Sequence, residues 1–143
     1  MNTYRITIPI LPKAQKRDRI GSRGGHGFSY KDKSQKLEEN KLLLCLMESK
    51  PPEPLSGAIS LEVRVYLPIP KSKPRIWREK AERGEIMPTV KPDIDNYAKN
   101  LLDVMNGVYF QDDKQITDLT VSKRYTSITV PSPCWVVVMR GDY

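Results

Sequence analysis

The sequence predicts an α+β fold: a two-layer domain with a mixed sheet of about four strands and two main helices on one face. Three observations carry that prediction. Short runs alternate apolar and polar residues with a period of two, longer runs space apolar residues at three and four, and the order is strand, helix, strand, arm, helix, strand, strand. At 143 residues the chain can bury one core and not two, so residues 1–143 read as a single domain.

Tyr4, Ile6, Ile8 and Ile10 alternate with Arg5, Thr7 and Pro9 and form a strand buried on one face, with Pro9 at an edge or exit. Residues 11–28 follow, with Lys13, Lys16, Arg17, Arg19 and Arg23 among Gly21, Gly24, Gly25 and Gly27, the composition of a mobile basic loop. His26, within it, has no obvious orienting partner and reads as non-catalytic. Between Lys31 and Lys50 the spacing predicts a helix with Leu37 and Leu44 seven apart and Leu42, Leu43, Leu46 and Met47 widening its apolar side. Pro51, Pro52 and Pro54 stop it.

Ile59, Leu61, Val63, Val65 and Leu67 give the cleanest alternation and predict a central strand, its second face polar enough to meet water, a partner subunit or DNA. Residues 69–91 set Lys71, Lys73, Arg75, Arg78, Lys80 and Arg83 against Glu79, Glu82 and Glu85. They read as a basic insertion arm with a short helix over Ile76–Arg83, burying little and ordering on nucleic acid. Trp77 in this arm either stacks on an unpaired base or tucks into the protein, and packing is the commoner fate of a lone Trp. Leu119, Val121, Lys123 and Tyr125 mark another strand. The Pro131-Ser132-Pro133 turn leads from it to Trp135–Arg140, so the last two strands are expected to pair as an antiparallel hairpin.

Lys and Arg outnumber Asp and Glu by 24 to 17, a net charge of +7. Clustered bases gain affinity by releasing counterions from phosphates, so a polyanionic partner is favoured, although many basic domains bind nothing in particular. Cys45 and Cys134 are isolated, so neither a C-x-x-C metal site nor a disulfide framework is indicated, and both read as small buried hydrophobes. No charged-then-apolar leader opens the chain and no apolar run approaches the roughly 18 residues of a membrane span, so the expectation is a cytoplasmic protein with no membrane partner.

Against this basic background the stretch from Lys91 to Asp113, KPDIDNYAKNLLDVMNGVYFQDD, carries two acidic clusters. Pro92 biases Lys91 toward extended backbone, so the chain arrives extended and turns helical between Asp93 and Asp95. In an extended or N-cap segment, positions i and i+2 project to the same side, which lets Asp93 and Asp95 share one cation. Ile94, Ala98, Leu101, Leu102 and Met105 form the apolar stripe of a helix ended by Gly107. Asn96, Lys99, Asn100 and Asp103 form its polar stripe, with Lys99 one turn beyond Asp95. The loop through Gln111, Asp112 and Asp113 allows the second acidic pair to fold back toward the first.

Clustered carboxylates repel unless a hard cation joins them, and Mg²⁺ is bound by a few carboxylate oxygens together with waters and substrate phosphates. An acidic metal pocket in a basic protein points to phosphodiester hydrolysis: the cation polarises the phosphoryl oxygen and activates a water, and Lys99 stabilises the developing charge. Each residue also has an ordinary structural role open to it. Asp93 or Asp95 serves as an N-cap worth about 0.5–2 kcal/mol. Asp95 and Lys99 serve as an exposed pair worth about 0.2–0.5 kcal/mol. Asp112-Asp113 serves as a turn, and Asn96 and Asp103 as a solvated helix face.

The segment DIDNYAKNLLDVMNG…DD…I…L…K resembles the signature of the RusA family of Holliday-junction resolvases (crossover junction endodeoxyribonucleases). The resemblance extends over most of the chain, from the opening MNTYRITIP and the basic Lys13–Arg19 loop to the strand containing Lys123. Two departures stand out: Pro92 replaces the arginine that family members carry before the first aspartate, with the base displaced to Lys91, and the segment Lys71–Val90 is longer than in compact members.

The resemblance implies a RusA-like fold, with Asp93, Asp95 and Asp113 as Mg²⁺-binding catalytic aspartates, Mn²⁺ as a substitute cation, Lys99 as the catalytic lysine, and Asp112 and Asn96 in support. It also supports DNA contacts by the basic loop (Lys13, Gln15, Lys16, Arg17 and Arg19), to which the basic arm adds Lys71, Lys73 and Arg75. The implied activity is Mg²⁺-dependent resolution of four-way (Holliday) DNA junctions by paired symmetric nicks, in DNA recombination and repair. A junction has two symmetry-related scissile phosphates and the chain one site, so a homodimer is expected, with Tyr97, Val108, Tyr109 and Phe110 as interface contributors. On the residues alone, a non-catalytic basic nucleic-acid-binding module and a metal-dependent nuclease of flaps or single strands stay open.

Overall fold

The structure is a computed structural model describing residues 1–16 and 19–142. In chain order it contains β1 (Asn2–Ile8), β2 (Arg19–Arg23), β3 (His26–Tyr30), α1 (Lys33–Glu48), β4 (Ser56–Leu67), α2 (Arg75–Glu82), α3 (Ile94–Met105), a 3₁₀ turn (Asp113–Gln115), β5 (Ile116–Tyr125) and β6 (Cys134–Asp142). The α+β prediction holds: β1, β6, β4 and β5 form a mixed four-stranded sheet in that order, and α1 and α3 pack against it and each other.

β4 is central, as its alternation predicts, and pairs with β5 in parallel across a connection long enough to hold α2 and α3. The expected terminal hairpin does not form. β6 instead runs antiparallel between β1 and β4, so the chain leaving β5 passes over β4 before re-entering the sheet. Composition explains the exchange. Cys134, Trp135, Val137, Val138 and Met139 are all buried, an apolar run suited to a strand flanked along both edges, whereas β5 keeps Thr117, Asp118 and Thr120 exposed and suits an edge.

Side chains from one face of the sheet (Ile6, Ile8, Leu61, Val63, Val65, Trp135, Val137 and Met139) share a single core with Leu42 and Leu46 of α1 and Tyr97, Leu101 and Met105 of α3. On α1 the predicted apolar seam is rotated: Leu37 and Leu44 are 56% and 70% exposed, and Gln35, Leu42 and Leu46 face inward. A polar match sets that rotation, because Gln35 is the partner of Asn100, which is 1% exposed although it belongs to the predicted polar stripe of α3. Ile94, placed on the apolar stripe, is exposed. Tyr97, Tyr109 and Phe110 are buried in the chain's own core and do not form the expected intersubunit surface; Val108 is only partly buried.

The 69–91 arm also departs from expectation. It packs on the domain through buried Ala81 and through Ile69, Trp77 and Ile86, with Trp77 edge-on to Tyr125 at 5.8 Å, without any need of nucleic acid. No helix among the described residues is long and apolar enough to cross a membrane.

Behind α3, Gly107 at φ 80° ends the helix, and the chain returns through Tyr109, whose hydroxyl donates to Leu46 O at 2.7 Å. Burial pushes that phenol up to about 12. Ser49 N–H also donates to Leu46 O, so Tyr109→Phe orphans no acceptor and is expected to cost about 0.5–1.5 kcal/mol in urea denaturation. Leu46→Ala, which opens a cavity in the core, is expected to cost about 2–5 kcal/mol.

Candidate active site

The approach to α3 is held by a single side chain. Lys123, half-buried on β5, donates from Nζ to Val90 O at 2.7 Å and to Pro92 O at 2.9 Å. These bonds fix the backbone immediately before Asp93, which occupies the N-cap with extended dihedrals (φ −68°, ψ 149°). Its side chain makes no capping bond, so the carboxylate stands exposed and uncommitted to the helix. The ordinary N-cap explanation therefore does not account for it.

From there α3 carries Asp95, Lys99 and Asp103 one turn apart along one side, because residues four apart stack on a helix face. All three line a cleft of about 460 Å³ together with Asp113, and Ile94, Ala98, Leu102, Leu119 and Val121 form its apolar walls. The second acidic cluster has come back to the first helix, as the loop was expected to permit. Asp93 lies at the start of the helix, outside that lining.

The turn that delivers Asp113 is strongly braced. Asp112 caps it by accepting from Lys114 N–H at 2.9 Å, and Gln115 Oε1 accepts from the N–H groups of Gln111 and Asp112. Gln115 Nε2 in turn donates to Leu55 O and Gly57 O at 3.0 and 3.1 Å, tying the turn to the start of β4. Asp112 thus does the turn-forming work and Asp113 projects into the cleft. The hydrogen bond that Asp113 shares with Asp112 raises its pKa above the ordinary carboxylate value, with loss of solvent and then the charges of Asp112 and Asp103 adding to the rise. Asp112 moves the other way, held low chiefly by the Lys114 N–H.

The basic segment is stitched to the same helix. Gln15 N–H donates to Asn96 O at 3.1 Å and Gln15 Nε2 donates to Asp103 Oδ2, so this residue, expected at DNA, holds a carboxylate of the cleft. Asn100 Nδ2 donates to Lys13 O at 2.9 Å, and Gln35 joins Asn100 Oδ1 at 3.1 Å to Lys16 N–H at 2.8 Å. Lys13 pairs with Glu38, while Lys16 and Arg19 both reach Asp32. Arg17 lies outside the described residues. Lys71 and Arg75 line a separate cavity with Arg78 and Glu79, and Lys73 sits 5.1 Å from the centre of the Trp77 ring. The structure does not bring this group of bases to the acidic cleft.

Among the described residues no three His, Cys, Asp or Glu side chains are gathered closely enough to hold a metal ion. The donor chemistry nevertheless fits a hard divalent cation. The available ligands are carboxylate oxygens on an exposed surface, the oxygen donors a hard cation takes. Asp103 is the cleft residue that the sequence reading left as solvated surface. Its signal was its place four residues after Lys99 and eight after Asp95. The tethers made by Lys123, Gln15 and Gln35 had no comparable signal, since each depends on contacts between distant elements.

The electrostatic assignment can be checked on protein stripped of divalent cations. A raised pKa means that Asp113 keeps its proton to higher pH than an ordinary carboxylate and loses its charge sooner on acidification. Its carboxyl ¹³C titration is expected to midpoint above the ordinary value and to move down in Asp112→Asn, with a smaller downward move in Asp103→Asn. A midpoint indifferent to both substitutions would contradict the cluster.

Comparison with known proteins supplies the last observation. The family model described as Endodeoxyribonuclease RusA matches residues 9–131, a span that includes all the carboxylates of the cleft, Lys99 and Lys123. A Bacillus subtilis (strain 168) protein described as "Uncharacterized protein YqaN" is 36% identical over 128 residues, which are 88% of this chain and 90% of that protein. With a family match over most of its length that takes in the whole acidic cleft, the chain belongs to the RusA endodeoxyribonuclease family.

Proposed function

We propose that the chain is a divalent-metal-dependent, structure-selective endonuclease that resolves four-way DNA junctions by paired symmetric nicks, as a homodimer, in DNA recombination and repair. The observation that carries this reading is the meeting of Asp95, Asp103 and Asp113 with Lys99 in one cleft, beside a basic segment tied to the same helix.

Asp93, Asp95 and Asp113 are the residues to hold Mg²⁺, or Mn²⁺ in its place. When bound, the cation supplies Lewis-acid polarisation of a phosphoryl oxygen and a water of lowered pKa. Lys99 presents its ammonium to the charge that builds on the phosphoryl and leaving oxygens, between apolar walls that thin the surrounding water and strengthen the attraction. Asp112 supports its neighbour by holding the turn, and Asn96 supports the basic segment by accepting from Gln15. Lys13, Lys16 and Arg19 take backbone phosphates near the cleft, Arg17 takes a phosphate as the basic segment's fourth cation, and Lys71, Lys73 and Arg75 take phosphates of a more distant arm, contacts that position DNA without reading its sequence. A two-fold dimer matches the two scissile phosphates of a junction, and exposed Leu37, Leu44 and Met47 on α1 offer it an apolar surface.

The direct test is cleavage of a labelled mobile four-way junction beside linear duplex, flap and single-stranded DNA, with and without Mg²⁺, mapped to the nucleotide. Cation-dependent paired nicks confined to the junction are expected. Binding without cutting under any divalent cation supports a non-catalytic module, and a flap or single strand cut in preference supports a nuclease of other substrates. Asp95→Asn is expected to abolish nicking while leaving junction binding intact or tighter, because a charge that repels phosphate is gone; a fully active variant refutes the site. Lys123→Met, which frees the carbonyls before Asp93, is expected to slow nicking by about 10–100-fold with junction affinity little changed.

A further inference from the structure

Residues 19–30 form an isolated ribbon rather than the mobile loop their glycine content suggests. β2 and β3 pair only with each other, in register from Arg19 opposite Tyr30 to Arg23 opposite His26. The turn is the two-residue step Gly24–Gly25, both at positive φ (59° and 79°), the tight connection whose twist suits a hairpin and which glycine adopts without strain. All ten residues of the two strands are solvent-accessible, and only Gly21 among them is partly covered.

The two sides of this ribbon are unlike. Side chains alternate along each strand, so Arg19, Gly21 and Arg23 share a side with the cross-strand residues Tyr30, Phe28 and His26. The other side has Ile20 and Ser22 with Gly27 and Ser29. Every cation and both rings therefore lie on one side. Phe28 and Tyr30 are 47% and 44% exposed, their ring centres 5.7 Å apart and their planes tilted by 39°. Both rings lie across Gly21: a Cβ there would stand 2.7 Å from Phe28 Cζ and 3.1 Å from Tyr30 Cε1. The glycine lets the rings settle on the backbone as a shelf.

The ribbon's foot is anchored toward the cleft. Arg19 is paired with Asp32, which also binds Lys16, and Lys16 N–H is held by Gln35, the partner of Asn100 on α3. Arg23 and His26 stand exposed at the far end.

We propose that this side of the ribbon is a stacking platform for bases laid open at the branch point of the DNA, with Arg19 and Arg23 on the flanking phosphates. The proposal rests on the junction-nuclease reading and adds to it the element that recognises the branch. Intact duplex hides its base faces and a branch exposes them. An aromatic shelf flanked by arginines matches an unstacked base between two phosphates, whereas a protein partner would have no use for that much positive charge beside the rings.

The test is equilibrium binding of wild type and Phe28→Ala/Tyr30→Ala to a labelled four-way junction and to linear duplex of the same arm sequence. A second junction carries 2-aminopurine at the branch. The double variant is expected to melt like wild type, because neither ring belongs to the core. It is expected to lose about tenfold in junction affinity with a much smaller loss on duplex, and to lose the 2-aminopurine quenching produced by wild type. Gly21→Ala, whose methyl displaces the shelf but keeps the rings, is expected to fall between.

Equal losses on junction and duplex, or no loss on either, overturn the proposal. So does a double variant that sediments as a smaller species than wild type, since the ribbon would then be serving a second copy of the chain. A wild type that neither prefers nor cuts junctions removes the nuclease reading and this proposal together. A wild type that cuts junctions beside an equally competent double variant removes this proposal alone.

Discussion

Carboxylates do not gather without something to hold them, and the structure depends on keeping Asp103, Asp112 and Asp113 together against their mutual repulsion. Neutral donors hold Asp103 and Asp112 and the turn that carries Asp113. Asp112 takes the Lys114 N–H, Asp103 takes the Gln15 amide, and Gln115 binds the whole turn to the start of β4. Neutral donors leave the charge in place, where cationic partners would have spent it on structure. Asp113 keeps a raised pKa, from its hydrogen bond with Asp112 first, then from loss of solvent and the charges of Asp112 and Asp103.

The second organising feature is a chain of buried amides. Gln35 on α1 and Asn100 on α3 are bonded to each other and, through Lys16 N–H and Lys13 O, to the basic segment between β1 and β2. Burying two amides is costly unless they are satisfied, and here each finds partners on the elements that must be aligned. One network therefore fixes how α1 is rotated, where α3 lies beneath it, and how far Lys13 and Lys16 stand from Lys99 and Asp103. A displacement of the basic segment cannot leave Asp103 untouched, because Gln15 belongs to both.

What could be read from the sequence followed from local rules. Alternation gave β1, β4 and β5, spacing gave α3, Gly107 gave its end, and the two acidic pairs include Asp95 and Asp113, which share the cleft. The failures were all non-local. Leu37 and Leu44 look like the seam of α1, yet the face with Gln35 is the buried one because its partner is sixty-five positions away. Asn100 was read only as part of the polar stripe for the same reason, and it is buried. The hairpin expected of the last two strands followed from their nearness in sequence, and tertiary burial outweighed it. The glycines of residues 11–28 suggested a loop when two of them make a ribbon turn and Gly21 seats two rings. Lys123 carried no signal beyond its place in an alternating strand, since its role is set by two carbonyls it meets only after folding.

The strand order itself serves the site. An open cleft needs free ground on at least one side, and a strand hydrogen-bonded along both edges has none. By inserting apolar β6 between β1 and β4, the fold puts its most hydrophobic strand where burial is greatest and leaves β5 at the border. β5 can then do two things at once. Leu119 and Val121 wall the cleft beneath α3 and Lys123 holds the start of that helix, while the outer edge carries charge and polarity that discourage pairing with another strand. A hairpin of β5 and β6 would have given β5 a neighbour on that edge and closed the ground where Asp113 meets α3. The departure from the simplest topology is thus the step that leaves the acidic cleft open.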